Sequence, residues 1–354
     1  MKVLRIVSEM DFGGVEQVGL NSLPALNNEV FLHILVLKRG GRASQRLKEI
    51  GISLKILGIN SKIPNFKLIY LIWKEIQYFQ PDVVHCQGAE ANFHGIIGSY
   101  IAKVPIRIAE EIGIPNHHSY WKYLFREVYR KATKVICVAE RVKIKLLELK
   151  EVPKSKITVI YNPISKNLVV EKSKNKIKEL RMVTVSRLVT IKNLSSVISC
   201  FSKLSYNNNL LKLWILGEGP EKESLEKKTH DLGLNENIIF WGFQSNPMNF
   251  MKEADIFLLP SYSEGSPVAL AEAMAVGLPS IVTKVGGAAE ILGNSESGIL
   301  IDPLNLAEIQ FAMQQLIDLS PEERQAMGER AKKEAQRFSV ENYIQRLMEI
   351  YIGA

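Results

Sequence analysis

The stretch from Pro260 to Pro279 holds the densest arrangement of groups able to do chemistry. An apolar run ends at Pro260, a glycine-containing loop with Glu264 follows, and a helix of small residues is expected from near Ser266. Glu272 lies about two turns into that helix. Amides at a helix start have no intrahelical acceptor, so those of Ser266, Val268 and Ala269 would point at a phosphate. A flanking carboxylate accepts two hydrogen bonds from vicinal hydroxyls, as on a ribose or a hexose. The alternating Ala, Met and Val residues suit packing against a sheet, which leaves both glutamates unexplained.

A second candidate follows the first apolar run. Gly13 and Gly14 open a helix there, so backbone amides and the helix dipole would favour an anion; a plain tight turn would use the same two residues. The pattern is not G-x-G-x-x-G, and the next strand ends in Lys38 and Arg39 rather than an acidic ribose ligand. A nicotinamide-binding first domain is therefore disfavoured. His85 ends a strand pattern and reads either as a site residue or as a satisfied interior histidine. Glu110 and Glu111 close the next strand, and His117 and His118 follow. Cys86, Cys137 and Cys200 lie far apart with no C-x-x-C, so neither a disulfide framework nor a thiolate zinc site is supported.

The elements that must position these groups show as a rhythm. Apolar runs at Val3–Ser8, Val30–Leu37, Ser53–Leu57, Asp82–Cys86, Ile106–Glu110, Lys134–Val138 and Thr158–Tyr161 alternate with helical spacing. A second series runs through Met182–Ser186, Lys212–Leu216, Ile238–Trp241, Ile256–Leu259, Ser280–Thr283 and Gly298–Ile301. Such βαβ alternation predicts an α/β protein with two doubly wound parallel-sheet domains facing a cleft. The expected divisions are 1–165, a Lys-, Ser- and Asn-rich linker at 166–180, and 181–336. A helical tail runs from about Leu306 to Tyr351 with a break at Arg337–Ser339.

The 354 residues carry a formal charge of +8, unevenly spread. Residues 1–165 hold 24 Lys/Arg and 14 Asp/Glu, whereas residues 182–354 hold 15 and 21. The basic half suits an anionic substrate, a membrane surface or nucleic acid, or a solvated surface with no partner. The segment Ser119–Lys131 interleaves Trp121, Leu124, Phe125 and Val128 with Lys122, Arg126, Arg130 and Lys131. That mixture fits either a helix at an anionic membrane interface or a sheet-covering helix with a solvated basic face. No nucleic-acid motif accompanies it. No run of about 18 uncharged apolar residues occurs and the N-terminal apolar run is short, so a cytoplasmic protein is expected, with peripheral attachment to the cytoplasmic face of the membrane on the interfacial reading.

In order and spacing, these pieces resemble retaining glycosyltransferase family 4, of GT-B fold. The resemblance rests on Glu264 and Glu272 with Gly277–Pro279, Val285–Ile291, Gly13–Glu16, Val84–His85 and Asn162–Pro163. Val185–Leu188 with Lys192–Asn193, Leu216–Pro220, Trp241–Phe243 and Ala254–Phe257 add to it. It implies transfer of a hexose-type sugar from a nucleotide-diphosphate donor, with UDP as the expected nucleotide, to a saccharide or polyprenyl-diphosphate-linked acceptor. Capsule, O-antigen or exopolysaccharide synthesis is the implied setting.

By the same resemblance, Arg187 and Lys192 face the donor diphosphate, Glu272 the ribose and Glu264 a sugar hydroxyl. Gly13 and Gly14 close over the distal phosphate, and the loop around Gly242 lines the base pocket. With no Asp-x-Asp pair in the chain, no metal or other cofactor is expected. Where the family often has a histidine after its fifth strand, this chain has Glu110 and Glu111, with His117 and His118 as substitutes. The last segment, 337–354, is expected to cross back to the first domain. A GT-B epimerase or hydrolase and a non-catalytic assembly partner are the rival readings.

Overall fold

The computed structural model describes the chain except Phe12, Asn116, His117, Ser119, residues 165–178, Asn207, Asn294, Ser295, Ala354 and the side chain of Val15. His117 and nearly all of the expected linker thus lie outside the described residues. The chain divides into two units, Met1–Lys166 with Phe338–Ala354, and Asn167–Arg337.

The first unit begins β1 (Lys2–Met10), α1 (Gly14–Glu29), β2 (Phe31–Gly40), α2 (Arg42–Glu49), β3 (Ser53–Ile56) and α3 (Phe66–Phe79). It continues β4 (Val83–Gln87), α4 (Ala89–Ile101), β5 (Ile106–Glu111), α5 (Trp121–Lys131), β6 (Lys134–Cys137), α6 (Glu140–Glu148) and β7 (Ile157–Val159). Its seven strands are all parallel, in the order β3-β2-β1-β4-β5-β6-β7. Both faces of the sheet are covered, which is why the strands read as near-continuous apolar runs. One face packs Leu4, Ile6, Val84 and Ala109 against α3–α6. The other packs Val3, Val7, Val83 and Ile108 against α1, α2 and the last helix of the chain.

The second unit runs β8 (Leu180–Val185), α7 (Leu194–Ser205), β9 (Leu211–Leu216), α8 (Lys222–Asp231), β10 (Ile238–Gly242), α9 (Met248–Met251) and β11 (Ile256–Leu259). Then come α10 (Val268–Ala275), β12 (Ser280–Thr283), α11 (Ala288–Leu292), β13 (Gly298–Ile301), α12 (Leu306–Asp318) and α13 (Pro321–Ala335). Its six parallel strands lie in the order β10-β9-β8-β11-β12-β13. The final helix, α14 (Val340–Gly353), belongs to the first unit, where Val340, Tyr343, Leu347 and Tyr351 are buried on the sheet.

Two expectations about elements need correction. The tail breaks twice, because Ser320 and Glu323 form a capping box with Pro321 in the first turn and start a new helix. The helix expected near Ser266 starts at Val268, since the residue before a proline is pushed to extended backbone and Pro267 itself serves as the cap.

Candidate functional site

Ligands of open parallel sheets bind beyond the carboxyl ends of the strands, where the strand order reverses. In the second unit that point lies between β8 and β11. The loop after β8 carries Arg187 and Lys192. Ser186 N donates to Leu216 O at 3.0 Å and Leu188 N to Glu218 O at 2.9 Å, so this loop lies directly on the one after β9. A Cβ on Gly217 would stand 1.8 Å from Ser186 O, and one on Gly219 would stand 2.3 Å from Leu188 O. Glycine at both positions is what admits the loop. Arg187 is left exposed, and no described residue pairs with its guanidinium.

Lys192 ends a short 3-10 turn, and Asn193 reverses the chain with a φ of 55°. The buried Asn193 amide donates to Pro260 O at 3.2 Å and Pro303 O at 2.9 Å, while Tyr262 N donates to Ile191 O at 2.8 Å. The loops after β8, β11 and β13 are thereby tied together. Lys192 Nζ consequently sits 2.7 Å from Glu264 Oε1, with the side chains 17% and 7% exposed.

The loop after β12 supports Glu264 from below. Gly287 N donates to Glu264 O at 3.2 Å, and a Cβ on Gly286 would fall 1.7 Å from that oxygen. Its φ of 65° independently favours glycine. In the following helix, Leu270 N and Ala271 N reach back to Pro267 O. The amides of Val268 and Ala269 head the first turn, and Ser266 lies outside it. Glu272 is buried, and burial alone pushes its carboxyl up to about 7, with no opposing charge or hydrogen bond. Gly242 closes β10 with a φ of 65° and accepts from Gly217 N at 2.8 Å. Beside it Trp241 and Phe243 are partly exposed, and Trp241 packs on Trp214 and Phe250.

The structure therefore gathers Arg187, Lys192, Glu264, Glu272, Val268 and Ala269 at one end of one sheet. It supplies two cations, one carboxylate paired with a cation, one unpaired buried carboxylate and free helix-start amides. That set can hold a diphosphate and the hydroxyls of attached sugars.

The first unit differs from expectation. Gly13, with φ 148°, caps α1, and Gly14 is open to solvent. His85 does not end its strand: β4 continues through Cys86 and Gln87, and His85 is fully buried. Its Nδ1 lies 2.7 Å from both Arg5 Nη1 and Tyr351 Oη, and its Nε2 lies 3.0 Å from Glu110 Oε2. Two donors on Nδ1 leave the proton on Nε2, donated to the carboxylate. Arg5 Nη2 also donates to Glu110 Oε2, at 2.7 Å. His85 and Glu110 thus belong to a closed cluster holding α14 to the sheet, away from any open surface. Their periodicity alone could not separate these roles, because a strand buried on both faces hides which face a polar residue serves. Glu111 is also buried, accepting from Tyr129 Oη and from Asn92 Nδ2. His118 lies exposed in the loop before α5.

Burial and the Arg5 charge lower His85 to about 4, while the charge and hydrogen bonds of Arg5 and His85 hold Glu110 below the ordinary carboxylate range despite its burial. An unfolded histidine takes up a proton near pH 6.5, so the unfolded state binds more protons between about 6.5 and 4. Stability should fall by about 3 kcal/mol across that window, and Glu110 should add to the loss at lower pH. Melting temperatures against pH check this: His85→Gln should flatten the slope between pH 6.5 and 4, and an unchanged slope would contradict it.

Two family models match consecutive halves of the chain, glycosyltransferase family 4 over residues 12–168 and glycosyl transferases group 1 over residues 166–334. The chain is a glycosyltransferase. This glycosyltransferase is 25% identical over 305 residues to the capsular polysaccharide biosynthesis glycosyltransferase CapM of Staphylococcus aureus, covering 80% of this chain and 79% of that one. It is 26% identical over 313 residues to the UDP-Gal:alpha-D-GlcNAc-diphosphoundecaprenol alpha-1,3-galactosyltransferase of Escherichia coli, covering 82% and 81%. Among solved structures, Anabaena HepE in complex with UDP superposes over 100% of both chains with a TM-score of 0.85 and 19% identity. The glycosyltransferase therefore has the GT-B fold, two Rossmann-like parallel-sheet units.

Proposed function

We propose that this glycosyltransferase moves a hexose-type sugar from UDP to a saccharide or polyprenyl-diphosphate-linked acceptor in surface-polysaccharide synthesis. It would keep the anomeric configuration and need no metal. The observation that carries the reading is the Lys192–Glu264 pair at the β8–β11 switch point, flanked by exposed Arg187 and unpartnered Glu272. Relatives that act on lipid-linked saccharides support the acceptor class, and the UDP complex of a structural neighbour supports the base.

In this reading Glu272 accepts from the ribose hydroxyls, and the chain around Gly242 lines the base. Val268 and Ala269 offer amides to a phosphate, as Gly13 and Gly14 do at the head of α1. The sugar–oxygen bond to the diphosphate breaks, and the acceptor oxygen forms its bond on the same face. The acceptor proton passes to the departing phosphate. Arg187 and Lys192 stabilise the charge growing on that phosphate, the part a bridging metal would otherwise take. Glu264, released from Lys192 as the diphosphate arrives, orients a sugar hydroxyl. His85, Glu110 and Glu111 act as positioning residues through the end of β5 and its contact with α14.

The test is transfer from a UDP-hexose in EDTA, with the anomeric coupling of the product read by NMR. Retained configuration at undiminished rate is expected. Inversion would remove the retaining part, and a loss restored by magnesium would remove the metal-independent part.

A further inference from the structure

We infer that the outer faces of α3 and α5 form one docking surface for an anionic lipid bilayer. This rests on the lipid-linked acceptor reading and extends it from α5 to a helix whose sequence gave no sign of it. Helix α4, between the two, is sunk onto the sheet. A Cβ on Gly95 would stand 2.3 Å from Cys86 Sγ of β4, and one on Gly98 would stand 3.0 Å from Ile72 of α3. With α4 lowered, α3 and α5 flank it as ridges, linked across it by Asn65 N donating to His94 and by Phe93 against Phe125.

Both ridges carry aromatic residues that are more than half exposed. Phe66 is 79% exposed, Tyr70 58%, Tyr120 64% and Tyr123 58%. They lie in or next to the first turns of α3 and α5, at the edge of the sheet where β4 and β5 end and open α/β sheets take their ligands. The charge around them is mostly positive, with Glu90 at the start of α4 an exposed acid between the ridges. Lys67 and Lys74 stand on α3, and Lys122, Arg126, Arg130 and Lys131 on α5. On the two helices the acids are Glu75, buried and paired with Lys55, and the exposed Glu127. Lys122 and Arg126 lie over the Tyr123 ring at 5.2 and 5.4 Å, so the cations and the aromatics share one surface.

Aromatic rings seat at the headgroup level, and lysines and arginines add attraction to anionic lipid. An acidic protein partner would match the charge but give no reason for rings clustered at the acceptor edge. A bilayer explains both, because a polyprenyl acceptor never leaves it.

The test compares two triple variants of the full chain with the same formal charge of +2, against +8 for the wild type: Lys67/Lys122/Arg126→Glu and Lys203/Lys227/Lys228→Glu. Co-sedimentation uses phosphatidylcholine vesicles with and without phosphatidylglycerol. The wild type should bind the anionic vesicles and release with salt. The first triple should lose roughly a hundredfold in partitioning, and the second, in the other unit, should stay near wild type. Phe66→Ser/Tyr70→Ser/Tyr123→Ser should also weaken binding. Equal loss in both triples, no loss in the first, full retention by the aromatic variant, or a wild type that binds neither vesicle would overturn the inference. A UDP-induced melting shift is read on every sample as proof of folding. Vesicle binding without that shift would count against the transferase reading instead.

Discussion

Replacing Lys192 with alanine is expected to lower turnover about a hundred- to a thousandfold while UDP affinity falls far less. With no diphosphate present, Glu264 at 2.7 Å keeps the ammonium in place, so the cation is already ordered when the donor arrives. On the proposed role, its attraction for the diphosphate grows as the glycosidic bond breaks and negative charge collects on the leaving oxygen. An interaction that strengthens toward the transition state raises turnover rather than ground-state affinity. Removing Lys192 also leaves Glu264 unpaired and only 7% exposed, so some stability is lost as well. The split between turnover and KM separates the two effects, and Lys192→Arg should restore part of the rate. A variant with wild-type turnover, or one that loses only stability, would remove Lys192 from the chemistry.

The second large effect concerns Glu272. Burial alone holds its carboxyl near 7 in the free protein, so the group is about half protonated at neutral pH. In the proposed site, ribose hydroxyls would donate to the ionised form and pull its pKa down on binding. Nucleotide binding should therefore release a proton near pH 7, and affinity should fall as pH drops below 7, by up to about tenfold per unit. Calorimetry in buffers of different ionisation enthalpy would count the proton. Glu272→Gln should abolish both the pH dependence and most of the affinity. A flat affinity profile between pH 5.5 and 7.5 in the wild type (a window set by the shift, roughly 1.5 units below 7 to the plateau) would show that the carboxylate does not meet the ligand.

The parallel sheets were legible because strands buried on both faces leave uninterrupted apolar runs, and β11, β12 and β13 fall where those runs fall. The second-unit residues were legible for a related reason: a glycine loop followed by small helical residues leaves few positions for Glu264 and Glu272 to serve packing. His85 was not, since a histidine in such a run looks the same whether it meets a ligand or a buried arginine from a neighbouring strand and a tyrosine 266 residues away. The glycines at 217, 219 and 286 show in the motif, but their task depends on which loop lies against them, which only the fold reveals. The outer face of α3 was equally hidden, because Phe66–Phe79 is apolar on nearly every side and periodicity could not tell its buried stripe from its exposed one.

The central claim is that the second unit holds a nucleotide-sugar donor site built on Arg187, Lys192 and Glu272. It is tested most directly by thermal melting against UDP, GDP, ADP, CMP and dTDP, each with EDTA. A ligand at a hundred times its dissociation constant stabilises by about 2.7 kcal/mol, a readily measured shift. The account predicts a shift with UDP that survives EDTA and disappears in Glu272→Ala. No shift with any nucleotide, or a shift that Glu272→Ala leaves intact, would contradict it.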